Sequence, residues 1–291
     1  MKPKVSVVIP TLEREQELSE CMEALSMQTL EKRLYEVVVV DGGSKDGTAR
    51  VVREFMNTDM RVRFLVERKR GAAAARNRGV QTSGSSLIAF TDDDCVPDKG
   101  WLRAMLHAME SDEGCAGAGG DVFPLENNVI SRYLHFCGAG RPVVFGESAI
   151  HLPTTNAIYR CDALLKVGLF EERVLICEDI HLSQKLLRSG FRLKKAAGAI
   201  VRHKDPSDIA TFYRKSYLHG SGLATIARIE GMAKKRGWSD LAKDLLLSRS
   251  YVDRFSDKSR LTFSDRIAFF FLARIQKAGI HFGYTAHISS R

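Results

Sequence analysis

The chain has 291 residues, 44% of them hydrophobic, which is enough for a full core and excludes a disordered polypeptide. Lys plus Arg outnumber Asp plus Glu by 44 to 35, and the resulting +9 favours anionic partners such as nucleotides, phosphates or acidic lipid headgroups without choosing among them. Six scattered cysteines with no CxxC or His-paired spacing speak against a zinc site or a disulfide framework and fit a reducing compartment.

The opening MKPKVSVVIPTLERE has too short an apolar run for a signal peptide. No segment approaches the ~20 apolar residues of a membrane span, so a soluble cytoplasmic protein is expected. Val5 to Ile9 is a β-branched run closed by Pro10 and predicts a strand. A helix from about Arg14 to Met27 carries Leu18, Met22 and Leu25 at helical spacing. Glu36 to Val40 is a second strand, ended by Asp41-Gly42-Gly43, and Thr48 to Met56 a second helix. The strand Arg63 to Val66, the helix Ala72 to Val80 and the strand Leu87 to Phe90 continue the alternation. Apolar strands separated by amphipathic helices predict an α/β fold with a parallel sheet covered on both faces.

Ligands bind such sheets beyond the carboxyl ends of the strands. Pro10-Thr11, Asp41-Gly42-Gly43-Ser44 and Asp92-Asp93-Asp94 all fall at that edge. Further on, Gly114 to Phe123 reads as a glycine-rich strand, Asn128 to Phe136 as a helix, and residues 141 to 160 as irregular. Cys177-Glu178-Asp179 precedes a helix over Ile180 to Ser189, with Gly190 as its C′ residue. After about Asp205 the pattern is wholly helical.

Three adjacent aspartates repel one another, and a hard divalent cation relieves that repulsion. Two carboxylates separated by one residue suit Mg²⁺ or Mn²⁺ shared with substrate phosphates; a solvated acidic turn is the plainer alternative. Asp41 suits a nucleotide base N–H or an Asx turn, while Asp46-Gly47 reads as a cap for the next helix. Arg76, on a small-residue helix, suits a phosphate or a base, whereas Arg78 reads as solvated. Glu178 and Asp179 suit either the dipole of a helix N-terminus or a general base. His203 follows Ala199 to Arg202 as a candidate metal ligand or phosphate contact.

In this order, VSVVIPTLER, EVVVVDGGSKDGT, GAAAARNRGV, LIAFTDDDCVPDKGWL, TTNAIYRCDALLKVGLFEE, CEDIHLSQKLLRSGFRL and IVRH resemble the family-2 glycosyltransferases over roughly residues 3 to 203. The resemblance implies a GT-A fold, Rossmann-like with a mostly parallel central sheet flanked by helices, and an inverting, metal-dependent transfer from a nucleotide sugar, UDP-linked by expectation. It assigns Asp41 to the base and lines the nucleotide site with Pro10, Thr11, Glu13 and Arg76. It makes Asp92, Asp93 and Asp94 the DxD motif, with Asp94 on the metal (Mn²⁺ or Mg²⁺), Asp93 on the ribose or metal shell and Asp92 as a supporting acid of the nucleotide site. It makes Asp179 the catalytic base with Glu178 its companion, and His203 a second metal or diphosphate contact. Trp101 and Asn156 are expected near the donor sugar or acceptor.

The expected organisation is a catalytic domain over residues 1–204, with a nucleotide half to about 100 and an acceptor half from 101, followed by a helical region over 205–291. The acceptor is expected to be a saccharide, lipid-linked or peptide hydroxyl in polysaccharide, glycolipid or other glycoconjugate synthesis. Arg214 and Lys215 with flanking aromatics suit a diphosphate or lipid headgroup. Between Leu261 and Tyr284, apolar Ile267, Phe270, Phe271, Ile275 and Phe282 alternate with Arg266, Arg274 and Lys277. That pattern suits an interfacial helix at the inner face of the membrane, or one packed on the catalytic domain or on a second subunit of a homodimer. Two rivals are weaker. Asp92-x-Asp94-x-Val96 locally resembles the haloacid-dehalogenase-like phosphotransferases, but three predicted strands precede a strand that opens that fold. A basic nucleotide- or nucleic-acid-binding module explains +9 but not the acidic clusters, which repel polyanions, so no nucleic acid partner is expected.

Overall fold

The computed structural model describes residues 2–146, 148–234, 240 and 261–289. Two compact units emerge: Met1–Leu125 with Gly140–Lys204, and Glu126–Ala139 with Asp205–Arg291.

The first unit is built on β1 (Val5–Thr11), β2 (Tyr35–Asp41), β3 (Val62–Val66), β4 (Leu87–Phe90), β5 (Cys95–Pro97), β6 (Cys115–Pro124), β9 (Ala157–Arg160) and β10 (Arg192–His203). They form one sheet in the order β3-β2-β1-β4-β9-β6-β10-β5, and β7 (Val143–Phe145) and β8 (Ser148–His151) form a separate hairpin. Helices α1 (Glu15–Ser26), α2 (Thr48–Met56), α3 (Ala72–Thr82), α4 (Trp101–Glu110), α6 (Cys161–Lys166) and α7 (Glu178–Arg188) belong to this unit. Alternation along the strands sorts the core into two faces. Val5, Val7, Ile9, Val37 and Val39 pack with Leu18, Met22 and Leu25 of α1; Val8, Val38, Val40, Ile88 and Phe90 pack with Leu182 and Leu186 of α7.

The expected parallel sheet is found for β1, β2, β3 and β4, and again for β6 with β10. Between these halves the expectation is corrected: β9 runs antiparallel to both β4 and β6, and β5 runs antiparallel to β10. The stretch read as irregular, residues 141 to 160, therefore holds a hairpin and a central strand. Glycines permit this insertion. A Cβ at Gly117 would stand 2.5 Å from the Tyr159 ring, and one at Gly120 would stand 2.0 Å from the Ala199 carbonyl oxygen.

The register fixes what meets at the carboxyl edge. Thr11 lies opposite Asp41, and Val8 lies opposite Phe90, two residues before the aspartates. His203 lies opposite Cys95, which brings the end of β10 beside Asp94.

Among the described residues the second unit holds α5 (Val129–Phe136), α8 (Ile209–Ile229) and α9 (Phe263–Ser289). Ile130 and Tyr133 of α5 pack with Phe212, Phe269, Leu272 and Ala273, so α5 joins the C-terminal helices rather than the sheet that surrounds it in sequence. Among the described residues no helix is long and apolar enough to cross a membrane. Phe263, Ile267, Phe270 and Phe271 remain exposed along α9. The Arg274 guanidinium lies 3.2 Å from the Phe270 ring centre.

Candidate active site

Three loops at the carboxyl edge are laced together by their own side chains. Asp41 is buried at 4% exposure and accepts the Ser44 N–H at 3.0 Å and the Ser44 hydroxyl at 2.6 Å. Ser44 Oγ in turn accepts the Glu13 N–H at 2.7 Å, and Glu13 Oε1 accepts the Lys45 N–H at 2.9 Å. Glu13 holds a left-handed φ of 54°, a conformation uncommon outside glycine and consistent with the loop's fixed shape. Asp46 links α1 and α2 by accepting from the Glu15 and Thr48 N–H groups at 2.9 and 3.1 Å, the capping role its sequence position implied.

The acidic loop is neutralised by two arginines. Arg14, immediately before α1, places Nη1 2.6 Å from Asp94 Oδ2 and 3.5 Å from Asp93 Oδ1. Burial works against the Arg14 charge, and the two aspartates more than offset it. Burial pushes Asp93 up to about 7, with Arg14 opposing and the Asp94 charge adding to the rise. On the other side Arg76, 3% exposed, reaches Asp92 Oδ1 at 2.6 Å and also pairs with Glu178. One buried guanidinium thus joins the acidic loop to the start of α7.

Helix α7 begins at Glu178, earlier than the sequence pattern indicated, after Cys177 adopts a left-handed φ of 68°. Both carboxylates consequently sit in the first turn, where the helix dipole favours negative charge. Burial pushes Glu178 up to about 7 against the pull of Arg76, and the Asp179 and Asp92 charges add to the rise. Asp179 moves the other way. Burial raises it, but His151, Arg76 and the Ile180 N–H outweigh that and hold it below the ordinary carboxylate range. Burial thus favours the neutral form of Glu178, while the partners of Asp179 favour its ionised form.

Asp92, Asp94 and Cys95 bring one ligand atom each within 4.8 Å of one another, and His203 Nε2 lies 3.5 Å from Asp94 Oδ1. The two carboxylates fit a hard cation. Cys95 fits less well, because burial and the neighbouring aspartates raise its thiol well above the ordinary range and keep it protonated.

Trp101 and Asn156, expected near the donor sugar or acceptor, are interior residues of the first unit. Trp101 and Asn156 are buried at 0% and 1%, with Trp101 Nε1 donating to Asn156 Oδ1 at 2.8 Å. Asn156 Nδ2 donates to the carbonyls of Asp121 and Ala199 at 2.9 and 3.1 Å. Their side chains tie α4 to β6 and β10 from the interior. Pro10 and Thr11 end β1 beside Asp41, as expected. Ser44 was placed at this edge without a role, and Arg14 and His151 were missed. Arg14 stands two residues past PTL in the first motif; His151 carried no signal beyond its residue type.

Solved structures share this architecture. A Pyrobaculum calidifontis mannosyltransferase in complex with GDP-mannose and Mn²⁺ superposes with a TM-score of 0.61 at 19% identity, over 95% of this chain and 74% of that one. Residues 1–349 of Staphylococcus aureus TarS in complex with UDP superpose with a TM-score of 0.55 at 19% identity, over 100% of this chain and 91% of that one. The fold is GT-A. The family model for glycosyl transferase family 2 matches residues 6–168, more than half of the chain, and the chain belongs to that family of glycosyltransferases. Glycosyltransferase AglE of Haloferax volcanii is 29% identical over 238 residues, 80% of this chain and 77% of that protein. The pre-mycofactocin glycosyltransferase of Mycobacterium tuberculosis is 27% identical over 233 residues, 77% of this chain; the chain spans about half, 47%, of its length.

Proposed function

We propose that the chain is an inverting, metal-dependent glycosyltransferase moving a sugar from a nucleotide diphosphate donor, UDP-linked in the first instance, to a hydroxyl acceptor. The observation that carries this reading is an acidic loop that suits a cation, joined by Arg76 through Asp92 and Glu178 to the first turn of the helix that bears Asp179. Asp41, Pro10, Thr11 and Glu13 form the nucleotide side, with Asp93 and Asp92 behind the ribose and Arg76 as the charged brace. Asp94 and His203 would hold Mn²⁺ or Mg²⁺, which when bound supplies positive charge against the diphosphate leaving group. Asp179 takes the proton of the acceptor hydroxyl as that oxygen attacks the anomeric carbon from the face opposite the diphosphate. One displacement inverts the configuration, and Arg76 balances the Glu178 carboxyl beside the base.

Residues 1–204 are assigned to catalysis, with the nucleotide half to about 100 and the acceptor half beyond. Exposed Phe263, Ile267, Phe270 and Phe271 with nearby Arg266 and Arg274 support contact of α9 with an anionic membrane face, which would suit a lipid-linked acceptor.

A thermal-shift screen of nucleotides and nucleotide sugars with Mn²⁺ or Mg²⁺ tests the reading. Stabilisation by UDP with metal, lost in Asp94→Ala, is expected; no response to any nucleotide overturns it. Asp179→Asn is expected to keep nucleotide binding and lose transfer.

A further inference from the structure

His151 ends β8 with Nε2 3.3 Å from Asp179 Oδ2. Its placement is enforced by the residue that follows. The Leu152 N–H donates to Ser183 Oγ at 3.2 Å, and the Tyr159 hydroxyl donates to the Leu152 carbonyl at 3.3 Å. Ser183 lies four residues beyond Asp179, one turn along the same face of α7. The helix that carries the carboxylate therefore grips the chain beside the imidazole.

The chemistry of the contact fixes its polarity. Asp179 Oδ1 accepts the Ile180 N–H at 2.8 Å. An ionised carboxylate only accepts, so an imidazole nitrogen facing it must carry the proton. His151 Nε2 is buried with no hydrogen-bond partner elsewhere among the described residues, so donation to Asp179 Oδ2 would satisfy it and, with the Ile180 N–H on Oδ1, leave a lone pair on each oxygen for an incoming hydroxyl. The other groups around Asp179 are Arg76 from α3, Glu178 and Cys177 at the start of α7, and Tyr159 from β9, with Asp92 of the β4–β5 loop across Arg76. Arg76 is shared with Glu178 and Asp92. His151 contacts Asp179 from the opposite partner element, the hairpin.

We propose that His151 is a positioning residue of the transfer reaction: its Nε2–H donates to Asp179 and holds that carboxylate ionised and oriented toward the acceptor hydroxyl. This rests on the reading of Asp179 as the base. In the step it serves, the acceptor O–H bond breaks and its proton passes to Asp179. The new oxygen–carbon bond forms as the anomeric carbon–oxygen bond breaks, and the diphosphate leaves with the electron pair. His151 gains and loses no atom; it acts through Asp179.

Two measurements on the full chain test this. With ¹⁵N-labelled histidine, the signal assigned to His151 by its loss in His151→Gln should report the Nε2-protonated tautomer, and its Nε2–H proton shift should move in Asp179→Asn. An Nδ1-protonated tautomer, or an Nε2–H shift unmoved by Asp179→Asn, overturns the proposal whatever the identity of the base. The second reads UDP released from a panel of UDP-sugars with Mn²⁺. His151→Ala should lower kcat about 10- to 100-fold, a typical size for a lost supporting contact. It should also shift the acid limb of the pH profile to higher pH, with UDP affinity unchanged. His151→Gln, which keeps an N–H donor, should recover much of the rate. A His151→Ala enzyme with wild-type rate and acid limb, beside an inactive Asp179→Asn, removes the role of His151 alone. An active Asp179→Asn removes the base, and this role with it.

Discussion

Arg14 Nη1 stands 2.6 Å from Asp94 Oδ2, so a guanidinium at the start of α1 occupies the carboxylate expected to bind a cation. The two positive charges compete for one oxygen. Arg14→Gln should therefore tighten Mn²⁺ binding in the absence of nucleotide, by about fivefold if the pair is worth ~1 kcal/mol at its partial exposure. Titration followed by the Mn²⁺ paramagnetic signal reads this directly. Weaker binding in Arg14→Gln would mean that Arg14 builds the site instead of guarding it.

Glu178 gives the protein a pH signature. Its carboxyl is pushed up to about 7 in the folded chain, so the folded state holds a proton that the unfolded chain releases near 4.5. The associated stability is full below that lower value and is lost as pH rises through about 7. Glu178→Gln should lack this part of the pH dependence, on the order of 2 kcal/mol between pH 5 and 8. Urea unfolding at both pH values checks it, and parallel slopes for the two proteins would count against a protonated Glu178.

Trp101 and Asn156 invite a separation of stability from ligand binding. Trp101→Phe keeps the ring but removes the donor to Asn156 Oδ1, leaving that buried oxygen without the indole N–H. The expected cost is about 1–3 kcal/mol of unfolding free energy. Nucleotide affinity should stay within twofold. A large loss of affinity in a stably folded variant would return Trp101 to the donor site.

The aromatic face of α9 makes a third kind of claim. Phe270 and Phe271 are 47% and 57% exposed. Replacing both by Ser should reduce co-sedimentation with vesicles rich in anionic lipid by more than tenfold, and leave the thermal midpoint nearly unchanged. Equal sedimentation of variant and parent would assign the face to another role.

Much of this molecule was readable in advance because its physics is local. Valine runs at β1 and β2, the helix over Thr48 to Met56 and the aspartates closing β4 each announce themselves within a few residues. Parallel topology then carries Thr11, Asp41 and Asp92 to one edge. What stayed hidden depends on long-range pairing. Arg14 looked like an ordinary basic residue at a helix start, and only the fold brings it to Asp94, 80 positions away. His151 lay in a stretch without periodicity, since the hairpin strands are only three and four residues long and β7 is exposed throughout. The reversed direction of β9 was also invisible, because a four-residue apolar run has the same pattern in either sense. For Asn156 the matching motif located the residue, but its neighbours decided what its amide does.

The shared guanidinium of Arg76 has a consequence for how ligands sense one another. Asp92 and Glu178 draw on the same positive charge, so a cation or phosphate that alters the claim of one carboxylate alters the electrostatics of the other. By linkage, an effect of donor on acceptor affinity must be matched by an equal effect of acceptor on donor. On the proposed reading of the site, coupling between donor and acceptor would run through one buried side chain as much as through either binding surface.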